Sequence, residues 1–93
     1  MTIDTLGQIV KRDGKRIELT PREFRIISYL ARNSGRVVTR TMLLEAVWDY
    51  NFDPQTNIVD QHVSKLRQKI DAGFENSLIH TVRGAGYVMR YDS

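Results

Sequence analysis

Residues 56–90 read TNIVDQHVSKLRQKIDAGFENSLIHTVRGAGYVMR, and this stretch decides the fold. Val59, Val63, Leu66 and Ile70 recur at steps of four, three and four, which puts them on one stripe of an α-helix over about residues 56–72. That stripe is expected to be buried. Asn57, Gln61, Ser64, Lys65 and Gln68 fall on the opposite side, where amides, a hydroxyl and a cation stand in place of the usual Glu/Lys mixture. Glutamine and asparagine pair bidentately with adenine edges in a major groove, and lysine reaches guanine or a phosphate. The face therefore suits a nucleic acid, although a merely solvated outer face would carry polar residues too.

The second half of the stretch supplies another probe. Thr81 to Arg83 and Tyr87 to Met89 are rich in strand formers, and Gly84-Ala85-Gly86 between them supplies the positive φ that a tight hairpin needs. Arg83 sits just before the turn, so its guanidinium is expected to project from the hairpin tip, where a narrow minor groove would accept it. The alternative is an edge arginine that discourages sheet-to-sheet pairing. A cationic helix beside a basic, glycine-tipped hairpin favours two contacts with one duplex.

Working outward, Ile9 to Arg12 and Arg16 to Leu19 flank Asp13-Gly14, a strong hairpin signal, so an antiparallel sheet is expected at the N-terminus. Thr20-Pro21-Arg22-Glu23 then reads as a helix start: Thr20 caps, Pro21 fits the first helical position and Glu23 closes a capping box. Phe24, Ile27, Leu30 and Ala31 form that helix's apolar stripe, Arg22, Arg25 and Arg32 its wet side, and Asn33-Ser34-Gly35 its stop. Thr39, after the β-branched pair Val37-Val38, caps a short second helix that offers Leu43, Leu44, Val47 and Trp48 for burial and ends near Asp49. A loop over residues 50–55 follows, because Asp53 before Pro54 disfavours helical geometry. Its aromatics Tyr50 and Phe52 either fold back as a satellite cluster or, with Asn51 and Asp53, form a docking loop for a protein such as RNA polymerase.

Bulk properties bound the function. Ninety-three residues allow one small domain, which buries only about 60–65% of its unfolded surface and has little room for a deep substrate cavity. Fourteen Lys and Arg against eleven Asp and Glu give a formal charge of +3, in the direction expected for a polyanion partner. With no cysteine there is neither a disulfide framework nor a thiolate zinc site, and no metal or other cofactor is expected. No apolar run reaches transmembrane length and no signal-peptide core is visible, so a cytoplasmic location is expected. Catalysis is not: only two histidines are present, His62 and His80, and the glycine-rich segment follows a strand without opening a helix.

The order β-hairpin, three helices, β-hairpin describes an α+β winged helix-turn-helix spanning residues 1–93. At this point the chain resembles the C-terminal effector domains of OmpR/PhoB-type response regulators of bacterial two-component systems. Carrying the resemblance are Asp13-Gly14 with Ile17 to Phe24, Gly35 to Arg40, Leu43-Leu44, Val47-Trp48, Asn57 to Asp60, His62-Val63, Leu66-Arg67, Lys69-Ile70 and Ile79 to Tyr87. The resemblance implies that residues 56–72 are the recognition helix in the major groove and residues 79–90 the wing. It further implies that Arg83 enters the minor groove and that Thr81, Tyr87 and Trp48 approach the sugar-phosphate backbone. Partners implied are promoter DNA with direct repeats, RNA polymerase, and a receiver domain and sensor kinase in the full-length protein, with the effector domain a monomer alone or a tandem dimer on DNA.

Several residues keep two readings. Trp48 either fills the core or donates its indole N–H to a phosphate, and Tyr87 is similar. Asp60 and Arg67 either form a structural ion pair or leave Arg67 to meet a phosphate. His62 is expected to be a hydrogen-bonded structural residue. The outer face of this helix is more neutral than related recognition helices, so no target sequence is borrowed. Relatives carry a strand ahead of Ile9, which leaves the completeness of the N-terminal sheet open; the phosphoacceptor domain that precedes the effector in the family is absent, and truncation is inferred. A second functional class, a winged helix that docks a protein through Tyr50, Phe52 and the first helix, differs in one respect: it predicts no steep salt dependence on DNA.

Overall fold

The computed structural model describes residues 1–48 and 57–90. Asp13 and Gly14 both adopt positive φ, as a two-residue hairpin turn demands, and they join strand β2 (Ile9–Arg12) to strand β3 (Lys15–Ile17) with Arg12 opposite Lys15. Strand β3 is shorter than the expected run to Leu19. A strand that pattern reading missed, β1 (Thr2–Asp4), pairs antiparallel with β2 and makes the sheet three-stranded. It is only three residues long, too short for a period-two signal to stand out.

Helix α1 (Pro21–Arg32) starts with the expected box: the Thr20 hydroxyl accepts the Glu23 N–H and the Glu23 carboxylate accepts the Thr20 N–H. Its buried stripe is wider than expected. Ile26 is fully buried beside Phe24, Ile27 and Leu30, whereas Ala31 is only half-buried. Val38 and Thr39 form a two-residue strand β4, and Thr39 also caps helix α2 (Arg40–Val47), accepting the Met42 N–H at 3.0 Å. Helix α2 buries Leu43 and Val47 and leaves Leu44 half-buried; it ends at Val47, before the expected Asp49.

Helix α3 (Asn57–Ile70) buries Val59, Val63, Leu66 and Ile70, the stripe read from the spacing. Strands β5 (Ile79–Val82) and β6 (Gly86–Met89) form the C-terminal hairpin, and β6 also pairs with β4, so the second sheet runs β4-β6-β5. Helix α1 packs against α2, α3 and β6, which places the core between the three helices and the second sheet.

One buried cation ties the first sheet to the rest. Arg12, 6% exposed, donates through one guanidinium nitrogen to the Ile70 carbonyl at 2.5 Å and to the Asp71 carboxylate at 3.0 Å, through the other to the Asn76 carbonyl, and lies over the Phe74 ring. Asp71 in turn accepts the N–H groups of Leu78 and Ile79. A positive group is favoured there because the carbonyls at the C-terminus of α3 carry the negative end of the helix dipole.

Candidate nucleic-acid interface

The outer stripe of α3 presents Asn57, Gln61, Ser64, Lys65 and Gln68, all exposed, at spacings that keep them on one side of the helix. Below them the helix is held by its neighbours. The Lys69 ammonium bonds the buried Glu23 carboxylate at 2.7 Å, tying α3 to the first turn of α1. Burial pushes the Glu23 carboxyl up, but the bonds from Lys69 and the Thr20 N–H outweigh it and hold the group below its ordinary value.

The C-terminal hairpin forms as expected, but its first strand ends at Val82, one residue earlier than expected. The Ala85 N–H bonds the Val82 carbonyl at 3.0 Å and Gly84 has φ +74, so Val82-Arg83-Gly84-Ala85 is a type II turn with glycine at its left-handed third position. Arg83 therefore occupies the turn itself, not a strand, and its side chain is exposed. Behind the tip, a Cβ on Gly86 would stand 2.1 Å from the Val38 carbonyl oxygen, so only glycine lets β6 come this close to β4.

Helix and hairpin meet along one rung. Thr81 and Tyr87 are register partners in β5 and β6, and each is bound by α3: Arg67 donates to the Thr81 hydroxyl at 2.7 Å, and the Tyr87 hydroxyl donates to Asp60. The same Asp60 oxygen accepts Arg40 Nε at 2.7 Å, from the first residue of α2. The guanidinium carbons of Arg40 and Arg67 lie 5.5 and 5.4 Å from the centre of the Tyr87 ring. Burial raises the Asp60 carboxyl, yet the hydrogen bonds from Tyr87 and Arg40 win and the net shift is downward. Burial, with the Asp60 bond and charge added, pushes the Tyr87 phenol up to about 12. The Asp60 bond raises the Arg40 guanidinium despite partial desolvation.

Three places where two readings stood open are described by the structure. The partner of Asp60 is Arg40, not Arg67, which turns instead to the wing. Tyr87 is 4% exposed with its hydroxyl committed to Asp60, so its ring is a packing element. Trp48 is 6% exposed, covered by Arg22 at 5.0 Å on its ring and met edge-on by His62 at 5.2 Å. Its indole N–H is buried and has no partner among the described residues, an arrangement that fits the core reading and not an outward-facing donor. His62 bonds the Ile58 carbonyl through Nδ1 at 2.9 Å, the structural role expected of it. Tyr50, Asn51, Phe52 and Asp53 lie outside the described residues. Arg12 and Arg40 were not singled out from the sequence, since their partners lie 20 or more positions away and no local pattern announces them.

The model of the family described as transcriptional regulatory protein, C terminal, matches residues 14–89. The chain belongs to this family. Among its relatives, the transcriptional regulatory protein PcoR of Escherichia coli is 47% identical over 89 residues, covering 96% of this chain and 39% of its own length. TrcR of Mycobacterium tuberculosis is 46% identical over 90 residues, covering 97% of this chain and 35% of its own. The chain thus spans well under half the length of these relatives. Among solved structures, the response regulator AdeR DNA-binding domain in complex with an intercistronic region superposes with a TM-score of 0.87 at 32% identity, covering 98% of this chain and 94% of that one. The Thermotoga maritima OmpR/PhoB homologue DrrB gives 0.85 at 37% identity, covering 96% and 41%. The α+β winged helix-turn-helix is the fold of these neighbours, and the family is a non-enzymatic class of transcriptional regulator domains. Among the described residues, no helix is long and apolar enough to cross a membrane.

Proposed function

We propose that this chain binds promoter DNA sequence-specifically, as the effector domain of a two-component response regulator. The observation that carries this reading is the continuity of two exposed polar probes. The outer stripe of α3 and the Arg83 turn are joined by the Arg67–Thr81 bond, so a helix sized for a major groove stands beside an arginine-tipped hairpin. The Klebsiella pneumoniae RstA DNA-binding domain, solved in complex with the RstA box, superposes with a TM-score of 0.82 at 30% identity, which supports the same role here.

In this mechanism Gln61, Ser64, Lys65, Gln68 and Asn57 read base edges, while Arg67 and Thr81 meet the backbone and Arg83 the minor groove. Tyr87 and Trp48 act from beneath, holding the wing and the start of α3, and do not themselves supply a phosphate donor. No bond is made or broken; cations supply attraction through counterion release and the helix face supplies discrimination. A receiver domain and sensor kinase in the full-length protein, RNA polymerase at residues 50–53, tandem occupancy of direct repeats and a cytoplasmic location complete the proposal. Footprinting on promoter fragments tests it: protected segments recurring at about one helical turn are expected, and uniform protection without sequence preference would overturn it.

A further inference from the structure

We infer that Asp60 is a positioning residue that couples the two probes, holding the wing at the angle from which Arg83 reaches the duplex. The inference rests on the DNA-binding reading and concerns a half-exposed carboxylate whose bonds are made to the domain's own side chains and not to the target. Asp60 and Arg67 are seven residues apart, two turns, and so share one side of α3. Each grips one member of the Thr81–Tyr87 rung, so the hairpin is held to the recognition helix at both strands.

The remaining attachments of the wing lie at its base or run to other elements: Asp71, just after α3, binds the N–H groups of Leu78 and Ile79 at the start of β5, far along the strand from the tip. The Val38–Tyr87 pairing and the close approach at Gly86 tie β6 to β4, that is, to the α1–α2 connection. Asp60 closes the triangle, because one of its oxygens accepts both Arg40 at the start of α2 and Tyr87 in β6. Charge-assisted bonds of this kind are short and directional, which suits them to fixing an angle. With the carboxylate gone, Tyr87 loses its acceptor and the Arg40 guanidinium its counter-ion. The hairpin then keeps its fold, its base at Asp71 and the Arg67–Thr81 bond on β5, but loses the tie from β6 to α3 that fixes its angle. Arg83 sits one residue beyond the end of β5, so a change of hinge angle at the rung is magnified at its guanidinium.

The test is a double-mutant cycle in DNA binding with Asp60→Ala and Arg83→Ala, read by fluorescence anisotropy on a duplex selected by the unmodified protein. Removing a carboxylate near phosphates by itself favours binding, so the coupling is the readout and not the affinity of Asp60→Ala alone. In the unmodified background Arg83→Ala is expected to weaken binding about tenfold or more; in the Asp60→Ala background the same change is expected to cost less than about twofold. Tyr87→Phe, which keeps the ring and deletes only the donor hydroxyl, is expected to decouple Arg83 in the same way and serves if Asp60→Ala folds poorly. Base preferences read by Gln61 and Gln68 are expected to stay as they are. Equal Arg83→Ala penalties in all three backgrounds would overturn the positioning role while leaving DNA binding intact. No Arg83→Ala penalty in the unmodified background would overturn the wing reading and this inference with it.

Discussion

A guanidinium on the corner of a type II turn, with no strand neighbour to pack on, contributes to binding only through what it meets outside the domain. Arg83→Ala is accordingly expected to leave thermal stability within about 0.5 kcal/mol while weakening DNA binding and lowering the magnitude of the salt slope, as seen by anisotropy titrations over a salt series. An unchanged salt slope would remove Arg83 from the interface. Gln61→Ala and Gln68→Ala act differently, because an amide read against a base edge carries about 1–3 kcal/mol of discrimination; a selection from randomised duplexes is expected to show altered ranking of sites at little cost to non-specific affinity. The exposed stripe and the hairpin tip were legible because both depend on local spacing. Asp60 and Arg40 were not: their pairing crosses from one helix to another, and Asp60 looked equally able to serve Arg67 seven positions along its own helix. Burial of Tyr87 was equally hidden, since an amphipathic aromatic reads the same way in a core and on a phosphate.

Between elements, stability depends on a few charged ties whose removal should be visible one by one. Arg12 joins the first sheet to the C-terminus of α3 from a nearly dry position, and Arg12→Met leaves the Ile70 and Asn76 carbonyls and part of Asp71 without a donor. A loss of about 3 kcal/mol is expected in urea unfolding. Pattern reading treated this arginine as an ordinary strand residue, although it shares a face with buried Val10 two positions earlier. The Glu23–Lys69 and Asp60–Arg40 bonds make the acid side of the stability profile. Both carboxyls sit below their ordinary values, so their contribution is complete above about pH 4.5 and is lost as pH falls through the lowered folded-state values. Tyr87 behaves in the opposite sense: its raised phenol keeps a proton in the folded state, so its contribution is complete below pH 10 and disappears as pH rises toward about 12. Denaturant midpoints measured across pH should show both arms, and Tyr87→Phe should remove the alkaline one. At the β4–β6 contact, Gly86→Ala meets the Val38 carbonyl at 2.1 Å and is expected to destabilise at or beyond the roughly 1–3 kcal/mol usual for overpacking, whereas the space around Gly84 is open and only its positive φ resists substitution.

For the molecule as a whole, the arrangement is a small core whose three helices and second sheet serve to hold two protrusions at a fixed separation. Helix order, caps and the stripe of α3 were readable because they are periodic or local; β1 and β4, of three and two residues, were not, because strands that short take their stability from the neighbour they pair with. The net charge of +3 is modest, so attraction to DNA rests on where the cations stand more than on how many there are. The most direct measurement is a titration of the domain with duplex DNA at two salt concentrations. If about three cations, such as Lys65, Arg67 and Arg83, displace counterions, a slope near −2.7 in log affinity against log salt follows, or roughly 40-fold weaker binding over a fourfold rise in salt. Binding that is absent, or that keeps the same affinity at both concentrations, would contradict the account and leave a winged helix that docks proteins instead.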